Sequence, residues 1–477
     1  MKSVSIKKNY FYNLMYQILL IISPIITTPY LSRVLQPEGI GIYSFTNSIV
    51  SYFILFATMG LSIYGQREIS YVQNDKLKRS KIFWETKILT IINVFICLLI
   101  YLILISLYVD TQYLLIYFIW GISIFNVAVD VTWFFQGLEE FKKVVTRNCF
   151  IKILDIMYIF IFVKNKDDLI IYILGIVIFQ ILGNAILWLS LPKYIVIPKI
   201  KNIKPLRNIK IIISLFIPAL AIQLYVVLDK IMLGCFSDSF IENGYYEQAM
   251  KISRLVLTIV ISLGTVMVPR IGFLFGQKQY EKVIEYMYKS YKFVCFLGIP
   301  LCVGLISISD NLVPWFFGIE YVNVADILKI SSLLIVFIGI SNVTGVQYLI
   351  PTKRQRIFTY TVILGAIINI ISNIIFIPKF YAMGAAISSV IAEGTIMIVQ
   401  LIIIKREINF KIIIKNAKNY IVASFIMGFV LYIENRYMTS SMVNTFIMIV
   451  SGIFIYTILL VLLKDKFFIN NIRKINI

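Results

Sequence analysis

Ile88-Leu-Thr-Ile-Ile-Asn-Val-Phe-Ile-Cys-Leu-Leu-Ile-Tyr-Leu-Ile-Leu-Ile-Ser-Leu-Tyr-Val109 runs for 22 residues without a charge. A helix needs about 20 such residues to cross the hydrocarbon of a bilayer, and a soluble surface helix of that length would keep one polar face. This stretch keeps none. Lys76, Lys78, Arg79, Lys81 and Lys87 precede it and Asp110 ends it, which frames it as one membrane crossing. The rest of the chain agrees: of 477 residues, 60% are hydrophobic and 14% charged, with a mean hydropathy of +0.88. A water-soluble fold of this size could not cover so much apolar side chain. The composition predicts an all-α integral membrane protein.

Working outward, spans of similar kind fall near 10–34, 40–63, 88–109, 111–136, 148–163, 169–190, 211–236, 246–271, 290–309, 326–350, 357–377, 382–404, 417–434 and 441–463. That is about fourteen transmembrane helices, with twelve as the competing number. With the N-terminus inside, the segments on that side carry 34 of the 45 basic residues and the opposite segments carry 5. Such a split follows the positive-inside rule, places both termini in the cytoplasm, and would break for an odd number of spans. Most of the +21 net charge is therefore topology, plus attraction to anionic inner-leaflet membrane lipid. Basic residues scattered over short loops give no nucleic-acid module. The apolar stretch after Lys7 and Lys8 has no small-residue cleavage site and reads as a retained first span.

The basic connection 192–210, with prolines at 192, 198 and 205, divides the chain. Residues 1–191 form an N-terminal six-helix bundle, 211–404 a second one, and 405–477 two additional helices with a cytoplasmic tail. The halves read as a diverged pseudo-repeat at an offset of 203. Gly41-Ile-Tyr43 aligns with Gly244-Tyr-Tyr246, Ser51 with Arg254, Ser62 with Thr265, and Arg67 with Arg270. Six intervening spans make the copies parallel, the arrangement of two bundles around a central cavity.

The chain has no His and no CxxC, so histidine relays, zinc sites and a disulfide framework are excluded, and no cofactor or metal is expected. The informative residues are charges in apolar surroundings. Glu247, Lys251, Arg254, Thr258, Ser262 and Thr265 share one helical face of the eighth span. Tyr43, Asn47, Ser51, Thr58 and Ser62 repeat the stripe in the second. Hydroxyls alone would serve as helix–helix glue, but two cations ask for a wet cavity holding an anionic, amphiphilic solute. Phosphate suits Arg and Lys best. Lys230, Arg33, Arg67 and Arg270 are further candidate anion ligands. Asp229 beside Lys230 reads equally as a local ion pair, and Lys152 with Asp155 as mutual neutralisation. Glu393, mid-span with no cation close in sequence, is the strongest coupling candidate, ahead of Asp130, Asp155 and Asp229.

Asn9-Tyr-Phe-Tyr-Asn13, Pro24-Ile-Ile-Thr-Thr-Pro29-Tyr-Leu-Ser-Arg33-Val-Leu, Gly39-Ile-Gly41-Ile-Tyr43-Ser-Phe-Thr and Tyr64-Gly65-Gln-Arg67-Glu68-Ile resemble the N-terminal signature of Wzx-type polysaccharide flippases. These belong to the MATE-like (MOP) superfamily. One departure is Gln36, where the family commonly has glycine. The resemblance implies a non-enzymatic flippase in a bacterial plasma membrane. Its cargo would be an undecaprenyl-pyrophosphate-linked oligosaccharide repeat unit of O-antigen or capsule, moved from inner to outer leaflet with ion-gradient coupling. Polysaccharide polymerase and glycosyltransferases would be its partners. A MATE-like drug or cation antiporter is the main alternative, and a membrane polysaccharide polymerase the lesser one.

Overall fold

The computed structural model describes residues 6–197, 203–465 and 467–469; the side chains of 6–17, 218, 219, 221, 222 and 224–226 are outside that description. The Asn9–Asn13 motif side chains, Lys2, Lys199, Lys201, Lys466, Arg473, Lys474 and hence both chain termini fall outside it as well.

Every regular element among the described residues is helical. In chain order they are α1 (Ile6–Thr58), α2 (Leu61–Tyr71), α3 (Lys76–Tyr108), α4 (Leu114–Val129), α5 (Thr132–Gly137), α6 (Phe141–Phe162), α7 (Leu169–Ser190) and α8 (Ile209–Phe236). They continue with α9 (Ile241–Ile261), α10 (Gly264–Gly276), α11 (Tyr280–Phe316), α12 (Val324–Ser331), α13 (Leu333–Asn342), α14 (Gln355–Ile404), α15 (Phe410–Tyr437) and α16 (Met442–Leu462). Two compact units result, Met1–Val227 and Leu228–Ile477, and the division falls within α8.

Ten helical stretches among the described residues are long and apolar enough to cross a membrane. Two of them cover two expected spans each. α1 has 53 residues and α14 has 50, so either would reach about 75–80 Å if straight, against a hydrocarbon core of about 30 Å. Both are interrupted. Gln36 takes φ 57°, ψ 172° and Tyr381 takes φ 48°, ψ −124°, regions that favour glycine. The backbone angles at Gln36 are ones that a residue without Cβ adopts more readily. After Tyr381 the chain folds back tightly: a Cβ on Gly384 would lie 2.3 Å from the Phe376 carbonyl oxygen. In a straight helix, eight residues would separate these positions by about 12 Å. The Glu242 carboxylate accepts from the Ala382 N–H at 3.1 Å, satisfying a donor the helix restart leaves open. α6 and α8 cover the fifth and seventh expected spans but are not among the ten.

The second and eighth expected spans are not single helices. α1 ends at Thr58 and α2 starts at Leu61, while α9 ends at Ile261 and α10 starts at Gly264. The turn residues 59–60 and 262–263 coincide at the 203-residue offset read from the sequence. Gly60 carries the first turn with φ 73° and approaches the Phe216 backbone N, where a Cβ would sit 3.2 Å away.

The connection after α7 is docked rather than loose. Arg79 donates to the Tyr194 carbonyl (2.8 Å), the Val196 N–H donates to Ser80 Oγ (2.9 Å), the Lys204 N–H donates to Glu85 Oε1 (2.9 Å), and Asn208 donates to Tyr64 Oη (2.5 Å). Residues 198–202 of this connection are outside the described set. In the second unit, α15 and α16 pack on α11. Asn311 donates to the Thr439 carbonyl (3.0 Å) and accepts from Thr445 (2.7 Å), while Tyr456 donates to the Phe296 carbonyl (2.8 Å).

Candidate functional site

The faces of α9 differ in burial. Ala249, Ile252, Ser253, Leu257 and Val260 are buried against neighbouring helices, whereas Glu247 and Lys251 are half-buried and Arg254 and Thr258 exposed. The hydroxyls donate within their own chain segment: Thr258 to the Arg254 carbonyl (2.9 Å), Ser262 to the Ile259 carbonyl (2.7 Å) and Thr265 to the Ser262 carbonyl (2.8 Å). Lys230, Glu247, Lys251, Arg254 and Thr258 line a recess of about 270 Å³ in the second unit. Three cations face one carboxylate there. Lys230 Nζ sits 2.5 Å from Glu247 Oε2, both side chains largely withdrawn from solvent.

That pair corrects the local reading of Asp229 with Lys230. Asp229 is 2% exposed and accepts from Tyr246 Oη (2.6 Å), Ser389 Oγ (2.5 Å) and Asn373 Nδ2 (2.7 Å). All three hydrogen-bond partners are neutral. Asn369 Oδ1 accepts from Asn373 Nδ2 at 3.2 Å, while Asn373 Oδ1 is buried with no hydrogen-bond partner among the described residues. α8, α9 and both halves of α14 thus converge on one buried carboxylate. Carboxylates in hydrocarbon are costly unless fully hydrogen-bonded, and here a carbonyl-type oxygen beside it is left over. Asn369 and Asn373 were not singled out by sequence reasoning. Two amides one helical turn apart inside an apolar span were the available signal. Tyr246 was read only as a landmark of the repeat.

The remaining candidates are dispersed. Glu393 is buried on α14, one turn beyond Ser389. Asp155 pairs with Lys152 at 2.7 Å, as the one-turn spacing suggested. Asp130 lies at the α4–α5 break, where its carboxylate accepts from the Thr132 N–H (2.8 Å) and its carbonyl accepts from Lys87 Nζ (2.9 Å). Lys87, counted with the loop cations in the sequence, is 1% exposed and stands 5.2 Å from the Trp188 ring centroid. Arg147, also counted as a loop cation, donates to Thr132 (2.8 Å) and Asn184 (3.2 Å), and Asn184 donates to Asn126 (3.0 Å). Arg67 pairs with the adjacent Glu68 at 2.9 Å, Arg33 is exposed just before the Gln36 break, and Arg270 is exposed over Phe273 and Tyr286. None of these three lines the recess. In the second span, Tyr43 packs on the buried Tyr172 at 5.3 Å, Ser51 donates to the Asn47 carbonyl (2.7 Å), and Tyr43, Asn47 and Ser51 are half-buried. No cluster of metal-ligating side chains occurs among the described residues.

Comparison with known proteins agrees with this architecture. A proposed O-antigen transporter of Shigella dysenteriae is 25% identical over 388 residues, covering 80% of this chain and 96% of the relative. Among solved structures, the lipid II flippase MurJ in an inward closed conformation superposes with a TM-score of 0.77 at 18% identity, covering 95% of this chain and 99% of that one. An inward-facing MATE family multidrug transporter gives 0.65 at 13% identity, covering 84% and 96%. These two likenesses establish the fold. The MatE family matches residues 214–375 and the polysaccharide biosynthesis protein family matches residues 6–275, more than half the chain. With its helical bundles, charged recess and this match, the chain is a multi-pass membrane protein that belongs to the polysaccharide biosynthesis protein family.

Proposed function

We propose that the protein is a lipid flippase. It moves an undecaprenyl-pyrophosphate-linked oligosaccharide repeat unit from the inner to the outer leaflet of a bacterial plasma membrane, by alternating access driven by an ion gradient, for surface polysaccharide assembly. The observation that carries this reading is the recess of Lys230, Lys251 and Arg254 in a lipid-embedded bundle. Its cations outnumber its single carboxylate, which suits a pyrophosphate, with Arg supplying paired N–H donors and Lys a point charge. The similarity to an O-antigen transporter supports the glycan cargo. Polymerase and glycosyltransferases would act on either side of the flipping step.

Fourteen crossings go with this proposal: two for each broken helix, α1 with α2 and α14, one each for α6 and α8, and one for each of the other eight apolar stretches. The even number keeps both termini cytoplasmic. Ion coupling is assigned to the Asp229 node with Tyr246, Asn373 and Ser389, with Glu393 one turn beyond it. Asp130 and Asp155 are engaged by a helix cap and an ion pair.

In a strain lacking its own flippase, Lys251→Ala with Arg254→Ala should abolish surface polysaccharide while the protein still reaches the membrane. Normal polysaccharide from the double variant would defeat the proposal. The MatE match over 214–375 and the buried Asp229 favour a drug or cation antiporter as the second reading. Drug resistance lost with Asp229→Asn, alongside intact polysaccharide in the Lys251/Arg254 double variant, would select it.

A further inference from the structure

Two consecutive residues of α8 contact two consecutive residues of α9. Asp229 accepts from Tyr246 at 2.6 Å, and Lys230 meets Glu247 at 2.5 Å. The first contact belongs to the buried node and the second to the wall of the recess. Asn243, one turn earlier on α9, donates to the Lys230 carbonyl at 2.7 Å and fixes the register between the helices. The Tyr246 ring is 1% exposed, and its hydroxyl also lies 3.1 Å from Ser389 Oγ on α14. Charged groups around this contact are Asp229 and Lys230 on α8, Glu242, Glu247 and Arg254 on α9, and Glu393 on α14.

We infer that Tyr246 is the positioning residue that links ion occupancy at Asp229 to the substrate recess; the inference rests on the flippase reading above. Asp229 Oδ2 accepts from Tyr246, and α9 sits in the register that seats Glu247 on Lys230. An ion taken up at Asp229 competes for the same oxygen, so Tyr246 loses its acceptor. Close-packed helices settle into alternative registers rather than deforming gradually. A change at Tyr246 therefore passes directly to its neighbour Glu247, and with it to how much of the Lys230 charge faces a phosphate. Serine and asparagine at the node can hold an ion but do not reach the recess; Tyr246 adjoins both.

The test uses the purified full chain in lipid nanodiscs and geranylgeranyl pyrophosphate as probe. Its Kd is measured with sodium against choline and, separately, across pH, so that the two possible ions are told apart. The wild type should show a Kd that changes about tenfold with one ion, within the usual range of coupling between sites. Tyr246→Phe should bind the probe but lose that dependence to within about twofold. A merely structural role would weaken binding equally in both conditions and leave the ratio unchanged, which would overturn the inference. Should Tyr246→Phe misfold, Glu247→Gln reads the same link from the recess side, and an undiminished ion dependence in it would also overturn the inference. A wild type whose affinity ignores both ions would overturn the inference and the coupling assignment together. Wild-type dependence retained by Tyr246→Phe would overturn the inference alone.

Discussion

Gln36 and Tyr381 are single residues that interrupt a helix at backbone angles suited to glycine. A side chain there costs roughly 1 kcal/mol or more. Gln36→Gly and Tyr381→Gly should therefore each raise stability by about 1 kcal/mol, less the entropy glycine adds to the unfolded chain. Thermal unfolding in detergent would show it as a higher midpoint. At the same scale, the eighth-span stripe was legible because cations in an apolar run are conspicuous. The partners of Asp229 were not, because a carboxylate next to a lysine in sequence hides that each side chain leaves the helix about 100° from its neighbour. Asp229 turns into the interior and Lys230 toward the recess. Adjacency in sequence leaves a local pair open where helix geometry separates the two.

Elements carry the next tier. Hydropathy marks the apolar stretches, but not the turn at 59–60, its counterpart at 262–263, or the α4–α5 break at Asp130. Such interruptions change hydrogen bonding without changing apolar content, so composition cannot report them. The hairpin inside α14 depends on the absence of a side chain at Gly384. Gly384→Val should destabilise by several kcal/mol through overpacking and abolish flipping; wild-type membrane levels and activity would contradict the close approach. Between the α13–α14 turn and the α14–α15 turn, Arg354 holds Glu407 through two contacts of 2.6 and 2.9 Å, and Tyr348 donates to the same carboxylate. Burial raises the Glu407 carboxyl, but the Arg354 and Tyr348 hydrogen bonds outweigh it and hold it below the ordinary glutamate range. A lowered folded-state pKa gives stability that is present above the unfolded value and lost as pH falls through the folded one. Wild type should lose thermal stability below pH 4.5, the ordinary value, whereas Glu407→Gln should start lower at neutral pH and change less on acidification.

For the whole molecule, the charge asymmetry read from sequence and the fourteen-crossing proposal make one joint prediction. In a cysteine-free background, single cysteines at Lys166 and Arg436 should react with an impermeant maleimide in intact cells, and those at Lys278 and Lys353 only after permeabilisation. Reaction of all four from outside would refute the orientation. The all-helical membrane character was legible because lipid imposes it on composition. The sequence reading sets the connection at 192–210, and the compact units divide further on, within α8. The docked connection shows why. Its hydrogen bonds at Tyr194, Val196, Lys204 and Asn208 all reach back to residues 64–85.

That backward reach has a bearing on biosynthesis. Domains emerging from a ribosome fold in order of synthesis, and the connection supplies polar partners of α3 before α9 has been made. These hydrogen bonds of the amino-terminal half can thus form while the later helices are still being translated.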